Sequence, residues 1–325
     1  MKKKKLTSEF YLACFVVLVF LILALVAPGF YSINNLMSIL NIFSYTIIGA
    51  IGMNLIMLTG NIDISAGSIM SVAAIACAGL GYLNVTFPGL LICGILVGGL
   101  LCLLNGYLTV KLNVPSMVVT LGTSQIFSGI LPIFNEATLY NLPSTFTWFA
   151  YEAKVFGIIP GSFFLALAIV VAFLLIMKYS RYSKQLYAIG NNRTGAHLIG
   201  IRVNRTLLIT YLIAGCLFGV CAVIIVTAAA RVTNVMGSGM EFTLISAVIL
   251  GGTSPAGGSG KIIGTVLGAL VLSMISSAIQ YLGLSMDYQD VVKGVIILVT
   301  VVAGSAKNLQ RRRNVALEKE RMAIR

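Results

Sequence analysis

An all-α polytopic membrane protein with about ten transmembrane helices is the fold that three features of this sequence predict. Of 325 residues, 58% are hydrophobic and only 10% charged, against roughly 25% charged in a soluble domain, and mean hydropathy is +1.00. The apolar residues gather into runs of about 20, the length a helix needs to cross a bilayer. The charges lie between the runs and are mostly basic, with a net +13, as positive-inside topology requires.

The runs cover roughly residues 10–28, 36–58, 66–83, 88–110, 115–133, 160–178, 207–229, 261–284 and 290–306, with a shorter one from Phe242 to Leu250 that ends in glycines. Counting the short run gives ten spans, and treating it as re-entrant gives nine. Lys2 to Lys5 precede the first run, and Lys307, Arg311, Arg312, Arg313, Lys319, Arg321 and Arg325 follow the last. Both termini, 1–9 and 307–325, are therefore expected in the cytosol, which requires an even number. Ten spans then leave Glu136, Glu152, Glu241, Asp287 and Asp290 on the outer side against only Lys154 and Arg231. The basic tails read as attraction to anionic lipid rather than to nucleic acid.

The first run lacks a small-residue cleavage pattern before Pro28 and reads as a retained helix, not a signal peptide. Cys14, Cys77, Cys93, Cys102, Cys216 and Cys221 all fall inside runs, without metal-type spacing, and read as packing residues. The largest outer loop, Asn135 to Ile159, carries Tyr140, Pro143, Trp148, Phe149 and Tyr151, the residue types of a membrane interface. Nothing in the chain makes a separate soluble domain, so 1–325 is read as one transmembrane domain.

The largest polar block inside the chain, 179–206 with Lys178 at its edge, carries Arg181, Lys184, Arg193, Arg202 and Arg205 and no acidic residue. Such a loop stays in the cytosol. Its interior, Gly190 to Ile201, reads as one short amphipathic helix bracketed by glycines that presents a face to a soluble partner. Gly190, Asn191, Asn192, Ala196, Gly200 and Ile201 are its candidate residues.

Two glycine-bearing interruptions, Thr59 to Ser68 and Gly251 to Lys261, each follow one apolar run and precede another. Unwound segments at corresponding places in two halves suggest a weak internal repeat. They read either as the lining of a path or gate, with Gly60, Asp63, Ser65, Gly67, Gly251, Gly252, Gly257 and Gly258 as candidates, or as plain turns at the cytoplasmic surface. Asp63 suits a cap for a helix starting near Ala66 better than proton transfer. Gly264, Gly268 and Ala269 form a small-xxx-small packing stripe.

Asn41, Asn54, Asn105, Gln125 and Gln280 are the within-run groups best suited to hydrogen-bond a neutral hydroxylated solute. The Ser and Thr residues of the same runs satisfy helix backbone more often. No ionisable residue sits mid-run, since Lys261, Asp290 and Lys293 lie near run ends. No GxxxxGK[ST], HExxH or GxSxG motif occurs. These absences point to a non-enzymatic conduit for a neutral solute, without cofactor or metal and driven by energy from elsewhere. The rival reading is an ion-coupled facilitator or channel acting alone, and a membrane-embedded enzyme is more distant.

Three motifs carry a resemblance. TGNIDISAGS from Thr59 resembles the G-I-D-L-S-x-G-S motif of the permease subunits of ribose-, xylose- and galactose-type ABC importers. YAIGNNRTGAHLIGI from Tyr187 is similar to their cytoplasmic loop, and GSGMEFTLISAVILGGTS from Gly237 to their G-x-G-x-E motif. With Lys293-Gly294 the likeness runs in order from about Pro28 to Gly304. It implies a permease in a bacterial plasma (inner) membrane, paired with a second permease, a copy or a paralogue. Two cytoplasmic ATP-binding subunits and an external solute-binding protein complete the assembly it implies. The loop from Asn191 to Ile201 would then dock into the ATPase, and Glu241 either contacts the binding protein or caps the helix beginning at Phe242. Asn61 stands where the family has Gly, Gly195 where it has Ala, and Phe242-Thr243 where Leu-Asp is common. Asn61-Ile62-Asp63 also resembles permeases for autoinducer-2, so the solute stays open between a monosaccharide and that molecule.

Overall fold

The computed structural model describes residues 8–27, 29–134, 149, 153–155, 158–229, 231–285, 287–299 and 302. Lys2 to Lys5, most of the loop from Asn135 (Glu136, Tyr140, Pro143, Trp148, Tyr151 and Glu152 included) and the basic tail from Lys307 lie outside these residues. The helices are α1 Ser8–Val26, α2 Ile33–Leu58, α3 Ala66–Tyr82, α4 Phe87–Leu112 and α5 Ser116–Phe134. After a two-residue antiparallel pair, β1 Lys154–Val155 and β2 Ile159–Pro160, come α6 Gly161–Tyr179, α7 Arg181–Asn191 and α8 Arg193–Leu198. The chain continues with α9 Val203–Ala229, α10 Met240–Leu250, α11 Ile262–Tyr281 and α12 over 287–299.

Among the described residues, α1, α2, α4, α5, α6, α9 and α11 are long and apolar enough to cross a bilayer. With the shorter α3 and α10, and with α12, they correspond in order to the ten runs of the sequence. Of the two short helices, α3 has 17 residues and α10 only 11. At about 1.5 Å per residue, the 11 residues of α10 cover roughly half of a ~30 Å hydrocarbon core.

Local chemistry sets several boundaries. Ser32 caps α2 by accepting from Asn35 N–H, Pro88 sits in the first turn of α4, and Ser180 caps α7 by accepting from Ser183 N–H at 3.2 Å. The core is built on α2, α9 and α11, which bury most of their residues, whereas α1 buries almost none and shows Leu18, Leu21 and Leu25 outward. On α4 an outward row of Ile92, Leu96, Leu100 and Leu104, spaced by four, is exposed, while Gly94 and Gly98 face the core.

The two halves, α2–α5 and α9–α12, run in opposite directions, because the end of α2 lies beside the region where α9 begins. They exchange partners. α4 packs along α9 and α11 along α2, while α3 rests on α9 and α10 on α2. This is an inverted-topology repeat. It corrects the pairing of interruptions read from the sequence: the counterpart of 59–65 is 231–239, before α10, and 251–261 is the turn joining α10 to α11. Glycine content flagged the wrong segment because glycines serve that turn as well.

The helix pairs approach through backbone. A Cβ at Gly215 would strike Gly98 O and one at Gly219 would strike Gly94 O, a reciprocal small-xxx-small contact that the sequence reading did not single out. Gly264 and Gly268, which it did, meet Gly251 and Ala247 of α10 in the same way.

Candidate functional site

The polar block folds as two helices, not the single one expected. Asn192 takes an extended conformation (φ −160°, ψ 103°), ends α7 and caps α8 by accepting from Gly195 N–H at 2.9 Å. α8 closes on Gly200 at φ +84°, with Ile201 N–H reaching Ala196 O at 3.1 Å, the six-to-one bond of a glycine-terminated helix. Ala196 is buried against Ile189, Val203 and Leu207, so it faces the protein. The outward apolar surface consists of Leu198, 81% exposed, and Ile199, 74% exposed. Composition alone did not single these two out, since their exposure on the polar block, beside the buried Ala196, belongs to the fold and not to the residue types.

Gly190 lies elsewhere, in a junction of three backbones. Leu58 O, an otherwise unpaired carbonyl at the end of α2, accepts from Gly258 N–H at 2.9 Å. A Cβ at Gly190 would strike both partners of that bond, and one at Gly257 would lie 2.6 Å from Gly60 N and 3.0 Å from Gly190 Cα. Gly60, Gly257 and Gly258 hold positive φ, which an L side chain resists. Tyr187 Oη donates to Gly260 O at 2.8 Å and Asn191 Nδ2 to Gly258 O at 3.3 Å. Asn54 adds a side-chain tie, its Nδ2 donating to Thr253 Oγ1 at 2.8 Å and Thr265 Oγ1 at 2.5 Å. Gly251 and Gly252 sit at the end of α10, outside this contact. Lys261 pairs with Glu9 at 2.6 Å, tying α1 to the same turn.

Asp63 is fully buried. Its Oδ1 accepts from Ser65 N–H at 2.8 Å and Ser65 Oγ at 2.5 Å, and its Oδ2 from Cys102 Sγ at 3.4 Å. Asn105 Nδ2 donates to Ser65 Oγ at 2.6 Å, while Ser116 Oγ and Thr120 Oγ1 accept from Ile62 and Ile64 N–H at 3.1 Å. The carboxylate thus holds the residue before α3 rather than the N–H groups inside its first turn. Asp63→Ala leaves the Ser65 donors without an acceptor, which costs about 1–3 kcal/mol each when buried. Its thermal unfolding midpoint in detergent is expected to fall, and Asp63→Asn, which keeps an acceptor oxygen, to recover much of the loss.

α3 and α10 meet start to start. Gly237 N–H donates to Ser71 Oγ at 2.9 Å, and a Cβ at Gly67 would strike the Glu241 carboxylate. Glu241 Oε1 accepts from Gly239 N–H at 3.3 Å, so its charge serves the start of α10, which begins at Met240. Beside this contact, at the end of the molecule away from α7 and α8, opens a cavity of about 530 Å³. Tyr45, Thr46, Arg231, Ser276, Gln280, Gln289 and the Asp290–Lys293 pair (3.1 Å) are among its lining residues. Of the proposed solute-path residues, only Gln280 lines it. Asn54 and Asn105 are bonded within the interruptions, Asn41 Oδ1 accepts from Ser162 Oγ at 3.2 Å, and Gln125 is exposed on α5.

Residues 35–301 match the family model described as the branched-chain amino acid transport system / permease component. The chain is 30% identical over 291 residues to the ribose import permease protein RbsC of Escherichia coli (strain K12), covering 88% of this chain and 90% of the relative. It is 30% identical over 300 residues to the ribose import permease protein RbsC of Bacillus subtilis (strain 168), covering 92% of each. To the autoinducer 2 import system permease protein LsrC of Escherichia coli O9:H4 (strain HS) it is 29% identical over 304 residues, covering 92% and 88%. No solved structure matches.

Proposed function

This chain belongs to the family of branched-chain amino acid transport system permease components, and from that premise we propose that it is the membrane-crossing subunit of an ATP-driven importer for a monosaccharide or an autoinducer-2-type solute. The relatives' printed solutes, ribose and autoinducer 2, support that class. Two permeases, two cytoplasmic ATP-binding subunits and an external solute-binding protein would make the assembly in a bacterial inner membrane. Segments 1–9, 179–206 and 307–325 are placed in the cytosol on the strength of their basic charge. The 530 Å³ cavity then opens outward, of a size usual for small-molecule sites, with Gln280 among its hydrogen-bonding groups.

One observation carries the mechanism: an unbroken set of contacts from the exposed tip of α8 through Gly190 to Leu58 and Gly258. Closure of the ATP-binding subunits would displace α8 and α7, and the Gly60–Gly190–Gly257 junction would pass the displacement to α2 and to the α10–α11 turn. The bound solute would then meet the opposite side of the membrane. The permease breaks no bond in this cycle.

A single cysteine at the exposed Thr194 of an otherwise cysteine-free permease tests the orientation. An impermeant maleimide is expected to label it only in inside-out vesicles, and labelling of intact cells would overturn the topology. Proteoliposomes holding the permease with its ATP-binding subunits are expected to take up solute only with ATP and binding protein. Flux through the permease alone would instead assign it to the facilitators and channels.

A further inference from the structure

A second cavity, of about 500 Å³, lies between α7 and the beginning of α9 and is lined by Tyr182, Gln185, Arg202, Arg205, Ile209 and Ile213 among others. A neighbouring cavity of about 440 Å³ shares Arg202, Arg205 and Gly200 with it. Both arginines are exposed, and the ion pairs found among the described residues, Lys261–Glu9 and Lys293–Asp290, leave them without a carboxylate. They stand at the start of a 27-residue helix, the end at which negative charge is favoured. Going up α9 the wall turns apolar. Arg205, Ile209 and Leu212, spaced by four and three, form one exposed row, and Ile213 lies beside it, so Ile209 and Ile213 sit about 6 and 12 Å past Arg205.

We propose that this cavity binds an anionic phospholipid, with Arg202 and Arg205 holding the phosphodiester at the start of α9 and an acyl chain lying against Ile209 and Ile213. Two cations over a helix start, above a wall that continues into the span, match a headgroup joined to a chain. A soluble acidic protein would reach the arginines but would have to enter hydrocarbon to cover the two isoleucines. The site is independent of which solute is carried. Its neighbour Gly200 ends α8, so bound lipid would brace the base of the coupling helices.

The test is retention of phosphatidylglycerol by the full-length permease, together with its ATP-binding subunits, after extraction from equimolar phosphatidylglycerol/phosphatidylcholine vesicles, read by native mass spectrometry. The Arg202→Gln/Arg205→Gln variant is expected to retain about 25-fold less, near fivefold per arginine. Lys184→Gln, an exposed cation on α7 outside this cavity, is expected to retain the wild-type amount. Unchanged unfolding in pure phosphatidylcholine checks that the double variant folds. Three results would overturn the proposal: equal retention by the double variant, full displacement of the lipid by millimolar glycerol phosphate, or loss of the ATP-binding subunits with lipid retention intact. The second would identify a soluble-anion site, and the third an interface with the partner.

Discussion

Gly190→Ala is expected to lower solute uptake by about tenfold or more while the partner subunits still bind the permease and hydrolyse ATP. On an isolated helix this change is favourable, since alanine is about 1 kcal/mol better than glycine in a helix interior. Here the new methyl would strike Leu58 O and Gly258 N, the two ends of one hydrogen bond. Both are backbone atoms, which yield less readily than side chains, and inserting a methyl into such a contact typically costs about 1–3 kcal/mol. The junction must spread, and displacement of α7 would no longer reach α2 and the α10–α11 turn together. Uptake and ATP hydrolysis measured side by side in proteoliposomes decide it. Wild-type uptake would remove the junction from the coupling route, and loss of both activities with loss of the partner would make Gly190 a docking residue.

Leu198→Asp combined with Ile199→Asp is expected to weaken association with the ATP-binding subunit by about a hundredfold or more. Burying one such side chain contributes about 1.5–3 kcal/mol, and each 1.4 kcal/mol is tenfold in affinity. Both side chains stand mostly outside the permease, so removing them takes little from its own packing. Its thermal stability is expected to change by no more than about 0.5 kcal/mol. Affinity measured in detergent by interferometry, beside an unfolding curve, separates a docking effect from a folding one. Unchanged affinity would move the docking surface away from the tip of α8.

The ten helices were readable because a span is a local property: about 20 consecutive apolar side chains satisfy the bilayer whatever surrounds them. The acid-free block 179–206 was readable as a polar element between spans for a similar reason, since charge and amphipathicity belong to the segment. Its division at Asn192 was not, because one asparagine in an extended conformation, capping the helix after it, leaves the apolar pattern almost unchanged. The roles of the polar residues were harder still. Asn54 and Asn105 carry the same amide as Gln280, and a side chain's chemistry does not say whether its partner is a solute or a threonine 199 residues away.

Composition and periodicity alone therefore settle that this chain crosses the membrane many times and where its polar block lies. Only the folded arrangement brings Leu58, Gly190 and Gly258 into one contact, pairs the interruption at 59–65 with 231–239, and separates the exposed Leu198 and Ile199 from the buried Ala196 beside them. The physical reason is that hydrophobicity acts residue by residue through transfer from water, whereas backbone approach and burial depend on which helices of two inverted halves come to lie against each other.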